Sequence, residues 1–396
     1  MTETYRYGRI TERDRAQYTD VLDQSFPDLF RHDNKNHWID REDPSTFRGL
    51  WSGDRLVGGL MNLPCGQWFG GRSVPMGAVR GVAVASESRG GGVATRLMDE
   101  MLRETRAQGM PISTLYPATH TFYRKLGYEI AGTQCHYELD LQRIVARNRR
   151  AKLVSFEATD FAMREGIYRL VAGRTNGLVD RSPWFWEPTA ASKAMKVRGY
   201  VVLGESGDPE GYFVYEAGEK GRPHEGYRIA VRDWMFLTRN AAERALAFFA
   251  DYRSVASSIH WWGAPVEPME VIAGEEAISI KLHHPWMVRM VDVPRALEAR
   301  GYRGDLEGRI SFAIEDDRFE WNRGPFTLTL KGGRAHVEDG GTPAFTIDVR
   351  GLAPLYTSYS SPNDLALLDL LDADAETRAE LAGIFAGPVP WMVDAF

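Results

Sequence analysis

Arg89-Gly90-Gly91-Gly92-Val93-Ala94 is the stretch that decides the fold of the first part of the chain. It follows a largely apolar run, Val79–Ala85, and opens an amphipathic segment, Thr95–Leu102. This order predicts a buried strand, a glycine-rich turn and the start of a helix. Glycines let the backbone approach a pyrophosphate closely, and the free N–H groups at the start of the helix attract its negative charge. The stretch therefore predicts a site for a nucleotide-type cofactor.

The composition is that of an ordinary globular protein, and 396 residues are enough for two or three domains. The net charge of −6 argues against a broad nucleic-acid-binding surface. We see no signal peptide at the start of the sequence, and no apolar run approaches the ~20 residues that a membrane span needs. Cys65 and Cys135 show neither a metal-ligand spacing nor a disulfide framework. We therefore expect a cytoplasmic protein without metal and without a nucleic-acid or membrane partner.

The order of predicted elements divides the chain into three units. Residues 1–142 alternate helices and strands around a mixed sheet, and the basic stretch Arg143–Lys152 follows them. Residues 143–286 repeat this order of elements without repeating the sequence. Residues 287–396 combine two helices with an antiparallel meander, in which Arg318–Trp321 is predicted as a strand. The predicted fold class is α/β (α+β).

The second unit differs from the first at the position of the glycine run. Where the first unit has Ser86–Ala94, the second has Leu237–Glu243, which contains no glycine. Asn240 is the predicted helix cap, and Glu243 falls in the first turn of that helix. A carboxylate there would repel a pyrophosphate. We therefore predict that the second unit copies the fold without the cofactor site.

The glycine run fits neither of two familiar nucleotide motifs. A Rossmann turn needs G-x-G-x-x-G after the first strand, and a P-loop needs lysine followed by serine or threonine. The pattern here is Arg-x-x-Gly-x-Ala after a Val-x-Val strand, and it resembles the acetyl-CoA loop of the GNAT superfamily of N-acetyltransferases. The resemblance implies that backbone groups of Val82, Ala83 and Val84 bind the pantetheine and the acetyl carbonyl. It also assigns the pyrophosphate of acetyl-CoA to the turn and helix start, formed by Arg89, Gly90, Gly91, Gly92, Val93 and Ala94.

A second motif lies within Tyr116–Tyr128, where Phe122-Tyr123 is followed after three residues by Gly127-Tyr128. It resembles the F/Y-Y-x-x-x-G-F/Y helix that lies beside the CoA thiol in GNAT proteins. By this resemblance Tyr123 is the general acid that protonates the leaving thiolate, a task that a nearby phenol can perform. The alternative is that Tyr123 is simply an aromatic residue packed under the helix.

The whole-chain layout resembles the Eis (enhanced intracellular survival) family. This implies two tandem GNAT folds, each a mixed central sheet with flanking helices, and a sterol-carrier-protein-like α/β domain, which we assign to 1–142, 143–286 and 287–396. It also implies a homohexamer, and a general base formed by the C-terminal carboxylate, here that of Phe396. A disordered tail is the alternative, although the prolines and aromatic residues before Phe396 favour docking.

Residues for the acceptor are assigned from the segment Ser25–Phe30, which resembles the part of the family that lines the acceptor pocket. Asp28 could pair with a substrate ammonium, and Asp394 could do the same. Phe26 and Trp38 could supply aromatic walls and cation–π contacts. Each of these residues also has an ordinary interpretation, as a turn residue or a core aromatic.

We therefore predict an acetyl-CoA-dependent N-acetyltransferase that acts by direct transfer in a ternary complex. The expected acceptor is a small-molecule or peptide primary amine, such as an aminoglycoside-like compound, a polyamine or a lysine side chain. Two alternatives stay open at this point. One is a lipid- or sterol-binding protein, based on the third unit, and the other is a CoA-binding regulatory protein without catalysis.

Overall fold

Two sheets with flanking helices form the molecule, which is the α/β (α+β) architecture that the sequence predicts. Within the described residues, one mixed sheet has thirteen strands and a smaller sheet has five. Among the helices of that part of the chain, none has the length and apolarity of a membrane span. The computed structural model describes residues 4–27, 43–146, 148–190, 196–220 and 226–396.

The first unit contains the predicted strand, glycine turn and helix. Gly92 precedes the helix with a φ of 82°, and four apolar side chains of that helix, from Leu97 to Leu102, are fully buried. Burial of each such side chain stabilises the fold by about 1.5–3 kcal/mol. The elements are β1 (Tyr5–Arg9), α1 (Arg15–Ser25), β2 (Phe47–Ser52), β3 (Arg55–Phe69), β4 (Arg72–Val84), α2 (Val93–Ala107), β5 (Ile112–Leu115), α3 (His120–Arg124) and β6 (Glu129–Asp140).

The second unit repeats a strand, helix and parallel strand in the same order. The predicted helix cap at Asn240 is wrong, because Thr238 Oγ1 accepts the N–H of Ala241 at 3.2 Å and caps the helix. The elements are β7 (Lys152–Phe156), α4 (Ala162–Ala172), β8 (Val179–Asp180), α5 (Pro183–Ala190), β9 (Arg198–Leu203), β10 (Pro209–Lys220), β11 (Tyr227–Phe236), α6 (Arg239–Ala250), β12 (Ala256–Gly263), α7 (Met269–Ala273) and β13 (Ile278–Met290).

Strand β13 joins the first two units into one sheet. It pairs antiparallel with β5 through Met287–Met290 and with β6 along most of its length. The strand order is β1-β2-β3-β4-β5-β13-β6-β12-β11-β10-β9-β7, and β8 pairs with β3. The predicted unit boundary at residue 287 falls inside β13. A strand from the second unit therefore lies between two strands of the first.

The third unit carries the smaller sheet. Its strands β14, β15 and β16 pair antiparallel as predicted, but β17 pairs with β14 in parallel. The elements are α8 (Val293–Ala299), β14 (Gly308–Glu315), β15 (Phe326–Lys331), β16 (Arg334–Asp339), β17 (Phe345–Asp348), α9 (Val349–Thr357), α10 (Pro362–Leu367), β18 (Leu371–Asp372) and α11 (Ala375–Ile384).

The predicted strand Arg318–Trp321 is wrong, because side-chain hydrogen bonds turn the backbone there. Asp316 Oδ1 accepts the backbone N–H groups of Arg318 and Phe319 at 3.0 and 3.2 Å. The Arg318 guanidinium then pairs with Asp99 of α2 at 2.7 Å. The segment is thus a turn that fastens the third unit to the helix after the glycine run.

Candidate active site

Strands β4 and β5 run parallel and then separate, and we call the opening between them the first split. They pair from Met76 opposite Ile112 to Val79 opposite Leu115, where β5 ends. Strand β4 continues to Val84. On the side of β5, the last residues of β4 therefore have no strand partner within the described part of the chain, and their backbone groups are available to a ligand.

A β-bulge lies at the start of this unpaired end of β4. Gly81 and Val82 lie opposite Leu60 of β3, where the pairing register shifts. Gly81 has a φ of 63°, and its carbonyl accepts a hydrogen bond from the Tyr18 hydroxyl at 3.1 Å. Val82, Ala83 and Val84, the residues predicted to bind the acetyl-pantetheine arm, thus form the β4 edge of the first split.

The glycine turn follows this edge and leads into α2. Gly90 and Gly92 have φ values of 80° and 82°, and a Cβ added at either position would meet no atom within 4 Å. Gly92 caps the helix without a side-chain hydrogen bond to its first turn. The turn is exposed, open and uncapped, which is what an anion needs at a helix N-terminus.

The Arg89 guanidinium does not point freely into the glycine turn but donates hydrogen bonds to β4 and to the end of α1. Its Nε donates to the carbonyl of Val84 at 3.3 Å, and its Nη2 donates to the Gln24 carbonyl and Ser25 Oγ at 3.2 Å each. Gln24 in turn accepts the backbone N–H of Ser86 through its side chain. Arg89 therefore ties the glycine turn to the end of α1, while its charge stays next to the turn.

Tyr123 lies in the core beside the first split. Its ring is only 6% exposed, and it shares an apolar cluster with Val79 and Leu115, the last paired residues of β4 and β5. Burial raises the pKa of Tyr123 to about 12. The phenol is therefore protonated at neutral pH and holds a proton that it can donate.

The C-terminal tail is docked on the large sheet. Trp391 forms a parallel bridge with Thr133 of β6, and its N–H donates to the Asn176 carbonyl at 3.0 Å. Met392 is fully buried, and Gln67 Nε2 donates to its sulfur at 3.7 Å. Because these contacts come from both of the first two units, the path of the tail depends on how they are joined.

Phe396 packs against Tyr116, the residue that directly follows β5. Its ring is 8% exposed and packs edge-on against Tyr116 and Phe185, with ring centroids 5.9 and 6.1 Å apart. Tyr116 directly follows β5, and its hydroxyl donates to the Asp394 carbonyl at 3.3 Å. Tyr116, which follows the end of β5, therefore contacts the tail both at Asp394 and at Phe396.

Asp394 is not free to bind a substrate ammonium, and that prediction is wrong. Both of its carboxylate oxygens accept from Arg181 Nε, at 2.9 and 3.0 Å. Arg181 also pairs with Asp233 at 2.8 Å, and Asp233 accepts from the Tyr212 hydroxyl at 2.9 Å. All these groups are buried. The charge of Asp394 therefore holds the tail on the second unit.

Of the other predicted acceptor residues, Asp28 and Trp38 lie outside the described residues. Phe26 ends α1, where its N–H donates to the Leu22 carbonyl at 2.7 Å, and its half-buried ring packs against the core. The structure thus places Phe26 near the segment that Arg89 contacts, at the end of α1.

The sequence analysis missed three groups near the tail: Tyr116, Phe185 and Asp180. Asp180 belongs to β8, which pairs with β3 at Gly66. Burial raises the pKa of the Cys65 thiol, and the negative charges of Asp394 and Asp180 raise it further. Both carboxylates therefore lie near Cys65. The aromatic run beginning at Trp184 was the available signal for Phe185, but no local pattern links β8 to β3.

Family models match three parts of the chain. A model described as an acetyltransferase (GNAT) domain matches residues 6–131, and another of the same description matches residues 177–290. A model described as a sterol carrier protein domain matches residues 293–393. No group of three or more histidine, cysteine, aspartate or glutamate side chains that could hold a metal ion is found in the described part of the chain.

Similar proteins span nearly the full length. The crystal structure of a GCN5-related N-acetyltransferase from Anabaena variabilis is 32% identical with a TM-score of 0.93, and the match covers 99% of this chain and 100% of that one. A protein of Streptomyces avermitilis named as an uncharacterized N-acetyltransferase is 29% identical, with 89% of both chains covered. The structure of Eis1 from Mycobacterium abscessus has a TM-score of 0.80 at 20% identity and covers 99% of this chain and 100% of its own, a likeness of fold.

Proposed function

The chain belongs to the GCN5-related N-acetyltransferase family, and we propose that it transfers the acetyl group of acetyl-CoA directly to a primary amine, as an Eis-type enzyme. One observation carries this proposal. The first split has an open glycine turn after one of its strands and the last residue of the chain beside the end of the other.

The residues of the first split suit acetyl-CoA. The open space at Gly90 and Gly92 leaves room for a pyrophosphate, and the N–H groups at the start of α2 provide its donors. The unpaired edge at Val82–Val84 offers backbone groups to the pantetheine and to the acetyl carbonyl. When bound, acetyl-CoA supplies an acyl group activated as a thioester.

Two groups of this chain carry the proton transfers. Tyr123 holds the proton that a departing thiolate requires, because a phenol is neutral near pH 7 and burial raises the pKa of this one further. The carboxylate of Phe396 accepts a hydrogen bond from the ammonium form of the acceptor and orients it. The ammonium proton then passes to water, because a terminal carboxyl with an unperturbed pKa of only about 3.3–3.7 does not keep it. Backbone N–H groups of Val82–Val84 stabilise negative charge on the carbonyl oxygen as the amine attacks.

The acceptor side suits a cationic amine. Phe185 and Tyr116 give aromatic faces beside Phe396, and Asp180 adds a carboxylate on the neighbouring strand β8. We also assign Asp28, Phe26 and Trp38 to this acceptor pocket by their resemblance to the family segment. Aminoglycoside-like compounds, polyamines and lysine side chains all carry amines of this kind.

We propose that each of the three units has its own role. Residues 1–142 contain the acetyl-CoA site, residues 143–286 form the surface on which the C-terminal tail lies, and residues 287–396 provide that tail. A lipid-binding function is less favoured, because the cavity at Leu306–Ile310 in the third unit is about 260 Å³, and a larger cavity of about 410 Å³ beside Asp316 is lined mostly by charged side chains. Ligand pockets commonly measure about 300–1,000 Å³. By resemblance we also propose a cytoplasmic homohexamer, which sedimentation velocity can test.

The test of the proposed base changes only the end of the chain. Adding one glycine after Phe396 moves the carboxylate away from Tyr116, so we expect kcat/KM to fall by about 10²–10⁴. The measurement is thiol release from acetyl-CoA with an aminoglycoside, spermidine and a lysine peptide. Binding of acetyl-CoA, followed by thermal shift, should persist.

The matched control is Ala395→Gly, which changes an exposed residue and leaves the terminal carboxylate in place. This variant should keep its turnover. Full activity of the extended chain would show that the carboxylate of Phe396 is not the base of the reaction. Loss of acetyl-CoA binding in the extended chain would show instead that the extension damages the first split.

A further inference from the structure

The second unit contains a cavity of about 810 Å³ that the proposed reaction does not use. Strands β11 and β12 pair in parallel from Tyr227 opposite Ala256 to Ala230 opposite His260, and then separate. The cavity lies between their diverging ends, and we call it the second split. It is the structural counterpart of the first split, and its volume lies in the range of about 300–1,000 Å³ that small-molecule sites occupy.

The second split has lost the features that bind a phosphate. Thr238 caps α6 and uses its hydroxyl as a donor to Glu210 at 2.7 Å, so the first turn of this helix is already satisfied. The predicted place of Glu243 in this turn is wrong, because α6 starts at Arg239 and Glu243 lies one turn further on, where it accepts from Arg239 at 2.7 Å. The helix start is therefore capped by Thr238 and lacks the open glycine turn of the first split.

The walls of the second split are mostly apolar. Its lining includes Trp234, Met235 and Met269 from the second unit, and Val389 and Trp391 from the C-terminal tail. Val389 is 45% exposed, so part of this apolar surface meets water. An apolar body of moderate size would replace that water.

One carboxyl lies among these apolar walls. Of the residues that line the second split, Arg239 and Glu267 are the charged ones, and Arg239 already donates to Glu243. Glu267 is 8% exposed and accepts the Trp261 indole N–H and the Met269 backbone N–H, both at 3.1 Å. A carboxylate has about four acceptor positions, so two remain for a donor from a ligand.

We propose that the second split binds a hydrophobic monoamine, whose ammonium group pairs with Glu267 and whose apolar body fills the cavity. Burial raises the pKa of Glu267 to about 7, so above that pH the group is ionised and a carboxylic acid would meet like charge there. A neutral lipid would leave that carboxyl without a counter-charge, whereas an ammonium supplies both charge and donors.

The test compares three probes of equal chain length on the full-length protein at about pH 8.5, where Glu267 is ionised: octylamine, octanol and octanoate. Binding is followed by the fluorescence of the wall tryptophans and by isothermal titration. We expect octylamine to bind at least about tenfold more tightly than octanol, and octanoate to bind most weakly. An order in which octanol or octanoate binds as tightly as octylamine would overturn the proposal.

Three variants place the binding in the second split. Glu267→Gln should remove the preference for the amine but keep octanol binding, and Ala242→Phe, which fills the cavity, should weaken both probes. Glu270→Gln is the matched control, because its exposed carboxylate lies in the same segment but does not line the cavity, and this variant should keep the preference for the amine. Thermal melts establish that each variant is folded.

Two outcomes would contradict this placement. Octylamine binding that survives in both Glu267→Gln and Ala242→Phe would belong to the first split, where amines are expected as acceptors. Sedimentation showing that a second copy covers the rim at Val266 and Val271, with no probe bound, would assign the apolar surface to assembly instead. The proposed acetyl transfer does not depend on either result.

Discussion

Tyr123 and Tyr128 differ in what holds their hydroxyl groups. The Tyr128 hydroxyl shares a hydrogen bond of 2.8 Å with Ser113 Oγ, and its ring is fully buried. The described residues provide no hydrogen-bond partner for the Tyr123 hydroxyl. Burial raises the pKa of both phenols, so both are neutral near pH 7. The hydroxyl without a partner is the one that a substrate can use.

Tyr123→Phe should lower kcat by about 10²–10⁴, the usual contribution of a general acid, and leave binding of acetyl-CoA in place. Tyr128→Phe is the control, because it removes one buried hydroxyl from the same cluster. It should lower the free energy of unfolding by about 1 kcal/mol without changing kcat. Steady-state thiol release and urea denaturation separate the two effects. Equal kcat values for the two variants would leave Tyr123 without a catalytic role.

Glu267 should make the stability of the protein depend on pH. Burial raises the pKa of its carboxyl from 4.5 to about 7, in spite of hydrogen bonds from Trp261 and Met269. The folded chain therefore keeps a proton that the unfolded chain releases. The stability from this proton is present below about pH 4.5, and it is lost as the pH rises through about 7.

Glu267→Gln should remove this part of the pH dependence. Between pH 4.5 and pH 7.5, the unfolding free energy of the wild type should fall relative to that of the variant by about 3 kcal/mol. Urea denaturation at several pH values measures this difference, with Glu270→Gln as the exposed-carboxylate control. Parallel curves for the wild type and Glu267→Gln would mean that Glu267 titrates normally.

At the scale of elements, parallel strands separate at two places, in the first split and in the second split. The two places differ in the turn that follows the first strand of each pair. After β4 the chain makes an open turn at Gly90 and Gly92, and the helix start is left uncapped. After β11 the chain has Thr238 as a cap. Similar strand geometry is therefore followed by an open, uncapped helix start in one unit and by a capped helix beside an apolar cavity in the other.

Gly92→Ala should weaken the acetyl-CoA site, because the helix start needs a φ near 82° that alanine adopts with strain. We expect a stability loss of roughly 1–2 kcal/mol and an increase of about tenfold in the KM for acetyl-CoA. Gly109→Ala is the matched control at the other end of α2, with a φ of 79° and equally open surroundings.

Gly109→Ala should lose stability to the same extent without a change in KM. Thermal melts and acetyl-CoA titrations compare the two variants directly. If both variants raised the KM for acetyl-CoA equally, the effect would come from general strain on α2 and not from the glycine turn.

At the scale of the whole molecule, the first unit is incomplete without the second. β13 fills the place between β5 and β6, and Trp286 of that strand is fully buried. The C-terminal tail then crosses both units, and the ion pair between its Asp394 and Arg181 of the second unit holds it in place. The three units therefore share one scaffold around the first split.

Residues 1–142 expressed alone should fail to form a stable monomer, because β5 would lose one partner strand and β6 would lose both of its partners, β12 and β13. Size-exclusion chromatography and circular dichroism test this expectation. Adding residues 143–396 as a second chain should restore a folded complex, since it supplies β13. A monomeric fragment 1–142 with cooperative unfolding would contradict the shared scaffold.

Local sequence patterns were enough to predict the features that lie within short stretches of this chain. The glycine run, the helix after it and the Tyr123 motif depend on spacing over fewer than fifteen residues, as does the missing glycine in the second unit. Only the tertiary structure decided which distant strands pair, that Asp394 binds Arg181, and that Phe396 packs on Tyr116. These contacts join residues more than a hundred positions apart. Local periodicity carries the direction in which a side chain faces, but it does not carry the identity of the partner that it meets there.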